Sequence, residues 1–299
     1  MAKQVVSVFG LGSMGFGVAC SALTKGHHVF GFDINPKVQS NFIAKGGQTG
    51  DIKDSVARSD VVISVVLNGA QTEDILFGVD GVVQQMQPGS VVISRATLSP
   101  EMARSLADKC NYYKVLYLDA PISGGSVKAS EGALTIMASG SKAAFDRAKP
   151  TLDAISQTVF ELGHEAGAGS AMKSVNQLLA GVHVVAMGEA LTFGMSQGID
   201  AAQMIKVISK CAGTSWMFEN RAPHVADGDY APYSAVNIWL KDLGIVLDAA
   251  KGSQFSTPLA AVALQQFVAA AGMGFSTEGD AAVAKVYAQN AGLKLPKSD

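Results

Sequence analysis

The chain has 299 residues, of which 48% are hydrophobic and only 16% charged, with a formal net charge of −2. That composition suits about two well-packed domains and excludes a largely disordered chain. With no long basic block, a nucleic-acid or membrane-surface role has no electrostatic footprint.

From the N-terminus, an apolar run at Gln4–Phe9 leads into Gly10-Leu11-Gly12-Ser13-Met14-Gly15, a helical stretch over Ser13–Lys25 and a second apolar run at His28–Phe32 that ends on Asp33. This strand, glycine turn, helix, strand and acid form the unit that holds a dinucleotide. Gly10 permits the tight turn, Gly12 lets backbone approach a pyrophosphate, and Gly15 lets helix and strand pack closely. The helix N-terminus then presents free N–H groups to phosphate. Lys3, the apolar stretch and Val18-Ala19-Cys20 share the outline of an export signal. The glycines Gly10, Gly12, Gly15 and Gly17 that interrupt it predict a phosphate turn and no export. Asp33 suits the ribose hydroxyls of NAD and repels the 2′-phosphate of NADP. No Arg follows it in Ile34-Asn35-Pro36, so NAD is the expected cofactor.

Further strands are predicted at Val61–Val65, Val91–Ser94 and Leu116–Ala120, with short runs at Gln48–Gly50, Ala133–Ala138 and Thr158–Leu162. Helical patterns lie between them at Pro36–Lys45, Pro100–Lys109 and Lys142–Ile155. Pro36 and Pro100 suit the first helical turn. The alternation predicts a doubly wound, mostly parallel sheet, an α/β fold. Ligands in such sheets bind outside the carboxyl ends of the strands. Attention therefore falls on Leu67-Asn68, on Arg95-Ala96-Thr97, and on Pro121 to Gly125. There Ser123-Gly124-Gly125 offers successive N–H groups and a hydroxyl as a seat for a carboxylate.

After Gly163 the strand signals stop. Gly167-Ala168-Gly169 opens a long apolar helix to about Gln197, broken by Gly198 and Asp200, and the rest to Asn290 is helical in pattern. The predicted domains are residues 1–163 and 164–299, joined through that helix with a cleft between them. Its least charged part, Ser174–Gly188, carries Asn176, Gln177 and His183, which predicts a buried helix rather than a membrane span.

Lys173 is the cation of this apolar helix, with Asn176 and Gln177 three and four residues on and hence on its face. Two readings stand on helix chemistry alone. One is a desolvated amine with a lowered pKa, fit to take and return a proton. The other is a lysine that snorkels from a helix start. Lys241-Asp242 reads as a surface pair, and Trp216, Met217 and Phe218 suit either helix packing or a pocket. The cysteines Cys20, Cys110 and Cys211 are far apart and lack a Cys-x-x-Cys, so they read as buried small hydrophobes in a reducing cytoplasm. The histidines show no metal-ligand spacing, and no metal is expected.

The glycine turn Gly10 to Gly15, Asp119-Ala120-Pro121-Ile122-Ser123-Gly124-Gly125, Gly169-x-x-x-Lys173-x-x-Asn176 and Lys241-Asp242 occur in the order and spacing of the β-hydroxyacid dehydrogenase family, which includes 3-hydroxyisobutyrate dehydrogenase and tartronate semialdehyde reductase. The chain resembles that family nearly end to end. The resemblance implies an N-terminal Rossmann domain binding NAD through Gly10, Leu11, Gly12, Ser13, Met14, Gly15, Asp33, Leu67, Asn68, Thr97 and Lys241, and an all-α C-terminal domain. It implies Lys173 as catalytic acid–base, Ser123, Gly124, Gly125 and Asn176 as substrate-binding residues, and a homodimer or homotetramer. The chain departs from the family at Ser94-Arg95-Ala96-Thr97, where Asp-x-Ser-Thr is common, and at Gln177, where Asn is common. Segments such as Ser215 to Arg221 and Asp227-Gly228-Asp229-Tyr230 resemble members acting on a short sugar acid, whose hydroxyls would suit Asn220 or Arg221. The expected reaction is NAD-dependent oxidation of a small hydroxyacid. Short-chain reductases are set aside because no tyrosine has Lys four residues on, and imine reductases because they usually replace the lysine. A phosphosugar-acid dehydrogenase would need a longer chain and phosphate-clamping cations. A silent NAD-binding sensor or scaffold would leave Lys173 and Ser123 without a role.

Overall fold

The computed structural model describes residues 2–296. The outermost positions of the two expected domains, 1 and 297–299, lie outside the described residues. The chain forms two compact units, Met1–Lys173 and Ser174–Asp299.

In the first unit, β1 (Val5–Phe9), α1 (Gly15–Thr24) and β2 (His28–Phe32) make the expected opening. They are followed by α2 (Pro36–Ala44), α3 (Ile52–Ala57), β3 (Val61–Ser64), α4 (Gly69–Phe77), β4 (Val91–Ser94), α5 (Pro100–Tyr112) and β5 (Leu116–Asp119). The five strands form one parallel sheet in the order β2-β1-β3-β4-β5. Both faces are buried, so each strand is apolar on both sides. Val91 and Ile93 enter one core, with Val8, Ile63 and Leu118. Val92 enters the other, with Phe9, Val62 and Tyr117.

The remaining strands do not extend this sheet. β6 (Ile122–Ser123), β7 (Leu134–Ala138) and β8 (Ser156–Glu161) form a second sheet, antiparallel between β6 and β7 and parallel between β7 and β8. Helices α6 (Gly125–Ser130) and α7 (Lys142–Ile155) connect them. Gln48 makes only an isolated bridge to Phe30. Of the three cysteines only Cys110 is buried; Cys20 is partly covered and Cys211 is exposed.

Helix α8 (Ala168–Ser196) starts in the first unit and continues in the second. The second unit adds α9 (Ala201–Ile208), α10 (Trp216–Asp227), α11 (Val236–Gly252), α12 (Pro258–Ala270) and α13 (Ala284–Asn290). Gly198 takes a positive φ of 81° and Asp200 caps α9, its carboxylate accepting the Gln203 N–H at 2.9 Å. The core gathers Val184, Met187 and Leu191 of α8 with Phe218, Trp239, Leu243 and Phe267. Met217 and Phe218 are buried while Trp216 is exposed, so the packing reading holds for two of the three. Arg221 is spent structurally: its Nε donates to the buried Asp280 carboxylate at 2.6 Å, and Trp239 Nε1 donates to the same group at 3.0 Å. By length and composition alone, α8 and the apolar stretch Pro258–Phe275 could each cross a membrane.

Candidate active site

The glycine turn follows β1. Gly10 has φ +90°, and its N–H donates to Phe32 O at 2.9 Å. A Cβ at Gly10 would lie 2.2 Å from Val65 O, and one at Gly15 would lie 1.8 Å from Gly10 O, so only glycine fits either position. Gly12 differs: nothing lies within 4 Å of its Cβ position. The protein does not need that glycine for its own packing, and its bare backbone leaves room for a ligand to approach. Leu11 is buried, Ser13 is exposed and Met14 packs against the core. Helix α1 opens at Gly15 with no side-chain cap and no acid in its first turn; the Phe16 N–H is taken by Gly12 O at 3.0 Å, and the positive end of the helix faces the glycine turn with no competing carboxylate of its own.

Asp33 ends β2 and is tied to this turn. Its Oδ2 accepts the Leu11 N–H at 2.6 Å and its Oδ1 accepts the Asn35 N–H at 2.8 Å. A carboxylate has about four acceptor sites, so each oxygen keeps capacity for a ribose hydroxyl. Open space at Gly12, a helix start without a side-chain cap and a fixed acid fit a dinucleotide.

Leu67 and Asn68 follow β3. Leu67 is exposed, and Asn68 caps α4 by accepting the Gln71 N–H at 2.9 Å. Thr97, half-buried, follows β4. Past β5 the chain turns into Ile122–Ser123, then Gly124 at φ +136° and Gly125 at φ +74°. A Cβ at Gly124 would sit tightly against Lys128 Cβ at 3.0 Å, and its positive φ already favours glycine.

Lys173 is brought to this segment. It is 9% exposed, and its Nζ donates to the Ile122 carbonyl at 2.9 Å. That geometry favours the buried reading over snorkelling and places the amine one residue from Ser123. Two motif positions whose roles the sequence does not reveal help to hold it. Asp119, at the end of β5, is fully buried; it accepts the N–H groups of Gly167 (3.0 Å) and Ser170 (2.8 Å) and the Ser170 hydroxyl (2.7 Å). It clasps the first turn of the helix that carries Lys173. A Cβ at Gly169 would lie 2.7 Å from Asp119 O, so that glycine is what lets the helix approach. Desolvation raises the Asp119 pKa despite these bonds.

In the second unit, Asn176 Nδ2 donates to Gln177 Oε1 at 2.9 Å, and Gln177 Nε2 donates to Asp242 Oδ2 at 2.5 Å. Asp242 is 2% exposed and forms an ion pair with Lys241 at 2.6 Å. The Lys241-Asp242 pair is therefore not the surface feature expected. The longer Gln177 amide is what joins Asn176 to Asp242.

Comparison with known proteins agrees with this geometry. Residues 5–163 match the NAD-binding domain of 6-phosphogluconate dehydrogenase, and residues 167–287 match the NAD-binding family of NADP-dependent 3-hydroxyisobutyrate dehydrogenase. The chain is 45% identical to L-threonate dehydrogenase of Cupriavidus necator, with 97% of each chain covered. It is 42% identical to the enzyme of that name from Escherichia coli K12, covering 97% of this chain and 96% of that one. A crystal structure of 3-hydroxyisobutyrate dehydrogenase from Salmonella typhimurium superposes with a TM-score of 0.89 at 44% identity, covering 94% of this chain and 99% of that one.

Proposed function

The chain belongs to the 3-hydroxyisobutyrate dehydrogenase-related family of NAD-binding oxidoreductases acting on a CH–OH group, and we propose that its substrate is L-threonate, oxidised at C2 to 2-dehydro-L-erythronate. The observation that carries the substrate is end-to-end likeness, at 41–45% identity, to L-threonate dehydrogenases of several bacteria.

Bound NAD supplies the hydride acceptor. Gly10 to Gly15, at the N-terminus of α1, would hold the pyrophosphate, and Asp33 would hold the adenine ribose. Leu67, Asn68, Thr97 and Lys241 complete the cofactor's surroundings. Ser123 and the N–H groups of Gly124 and Gly125 hold the substrate, with Asn176 orienting a hydroxyl. Lys173, neutral at the start, accepts the C2 hydroxyl proton as the C2 hydride departs; in reverse its ammonium returns the proton. Placement of Nζ at Ile122 O, beside Ser123, supports this division of labour. The change of matching family between residues 163 and 167 supports a domain boundary near 163. Exposed Leu179, Phe193, Leu259 and Val262 support assembly as a homodimer or homotetramer, and the free cysteines Cys20, Cys110 and Cys211 support a reducing cytoplasm.

An NADH absorbance assay with L-threonate, D-glycerate and 3-hydroxyisobutyrate side by side tests the substrate. L-Threonate is expected to give the highest kcat/KM, and a clear preference for either other acid overturns the assignment.

Cofactor choice has its own test. A 2′-phosphate about 4 Å from Asp33 meets a repulsion of about 4 kcal/mol at an effective dielectric near 20, less after solvent screening. Asp33→Ser removes it along with the ribose acceptor. The variant is expected to lose roughly tenfold in kcat/KM for NAD, in line with a charged hydrogen bond, and to gain on NADP. Unchanged selectivity would remove Asp33 from cofactor choice.

A further inference from the structure

Arg95 is a buried cation without a partner. The residue is 4% exposed, and neither Nε, Nη1 nor Nη2 finds an acceptor among the described residues. Burial pushes the guanidinium down to about 9, so it still carries its charge at neutral pH. An ion held this way is costly unless paired. The surrounding core gains nothing from it that an apolar side chain of similar volume would not provide.

The backbone ladder fixes where the side chain lies. The Arg95 N–H donates to Ser64 O at 3.0 Å, and the Ala120 N–H donates to Ser94 O at 2.9 Å, so the ladder of β3, β4 and β5 runs on past Ser94. Alternation along a strand then places Arg95 on the face of Val91 and Ile93, opposite Val92 and Ala96. The two cores divide the same way. Packed on the Ile93 face are Met14 of the glycine turn, Val65, and Ile122, whose carbonyl holds the Lys173 amine. Arg95 therefore stands one step past Ile93, at the carboxyl-end rim where ligands of such sheets bind.

Two anions reach that rim, the pyrophosphate and the substrate carboxylate. The pyrophosphate already has the glycine turn after β1 and the N-terminus of α1. Arg95 instead follows β4, which lies between β3 and β5, and on the β5 side the chain continues as Ile122-Ser123-Gly124-Gly125, the segment beside the Lys173 amine. We propose that Arg95 is the counter-ion of the substrate carboxylate and makes this site select a hydroxyacid over a neutral polyol. The inference rests on the reading above that Ser123 to Gly125 and Lys173 form the substrate site. A guanidinium presents a planar fork that matches a carboxylate with two parallel hydrogen bonds, which a lysine cannot copy.

The test compares wild type, Arg95→Met and Arg95→Lys. NADH affinity is read by fluorescence titration, and L-threonate and threitol, its neutral polyol counterpart, are titrated calorimetrically into each NADH complex. Arg95→Met is expected to weaken L-threonate by about 10- to 100-fold, as for loss of charge-assisted hydrogen bonds, to leave threitol unchanged, and to keep NADH affinity within about twofold. Arg95→Lys recovers part of the loss, and it carries the test if the methionine variant does not fold. Undiminished L-threonate affinity in a folded Arg95→Met overturns the proposal. So does an equal loss of NADH affinity, which gives the guanidinium to the pyrophosphate. If wild type oxidises no hydroxyacid, the catalytic reading fails on its own. Arg95-dependent binding of L-threonate then still upholds the carboxylate site.

Discussion

Lys173→Ala is expected to lower kcat by about 10²- to 10⁴-fold, the range for loss of a positioned acid–base group, while NADH is expected to bind as tightly as to wild type. The expectation follows from burial and from one bond. The amine is 9% exposed and is held by the Ile122 carbonyl, next to the Ser123-Gly124-Gly125 segment. A lysine that only covered apolar surface could be truncated with a small change in stability and none in turnover. Single-turnover hydride transfer in the variant, followed by NADH fluorescence, separates the two roles. If chemistry alone is slow and NADH affinity is intact, the amine acts on the reacting proton. Lys173→Arg tests the same point while keeping a long basic side chain. The guanidinium stays protonated at working pH and cannot accept a proton, so its turnover is expected to be as poor as that of the alanine variant. A variant of either kind that keeps wild-type turnover takes Lys173 out of the mechanism.

How much of this site could be read from the chain depends on how local each interaction is. The turn at Gly10 to Gly15 was legible because its requirements are met within a few residues: a positive φ at Gly10 and no room beside Gly15. Strand positions were legible because both sheet faces are buried, which writes continuous apolar runs. The second sheet was not legible. Leu134–Ala138 carries the same apolar signal as a strand of the main sheet, and its partners are decided by pairing with Ile122–Ser123 and with β8. The short helices α3 and α4 announce themselves only through their N-caps, Asp51 and Asn68, which accept the N–H groups of Asp54 and Gln71. That signal was available. For Asp119 and Arg95 the motifs mark the positions but not what the side chains do. One is defined by donors up to 51 residues away. The other is defined by a buried guanidinium with no acceptor among the described residues.

Asp119→Ala is expected to destabilise the first unit by about 3 kcal/mol and to lower kcat as well. The carboxylate is wholly buried, and its removal strands the N–H groups of Gly167 and Ser170 and the Ser170 hydroxyl. Each unsatisfied buried group costs about 1–3 kcal/mol, with partial relaxation holding the sum near the lower end. Differential scanning calorimetry should show the midpoint falling by roughly 5–10 °C. Because this residue fixes the start of the helix that carries Lys173, turnover should fall by more than the unfolded fraction accounts for. Asp119→Asn separates charge from geometry, since it keeps one acceptor oxygen and does not titrate. The wild-type carboxyl has its pKa raised by desolvation. Folded above its unfolded value, it contributes stability that is fully present below the unfolded pKa and is lost as pH rises through the folded one. The stability difference between wild type and Asp119→Asn is therefore largest in acid and narrows as pH rises through the carboxyl range. A difference that widened instead would mean that the bonds from Ser170, Gly167 and Ser139 outweigh desolvation, and that the ionised clasp is the more stable form.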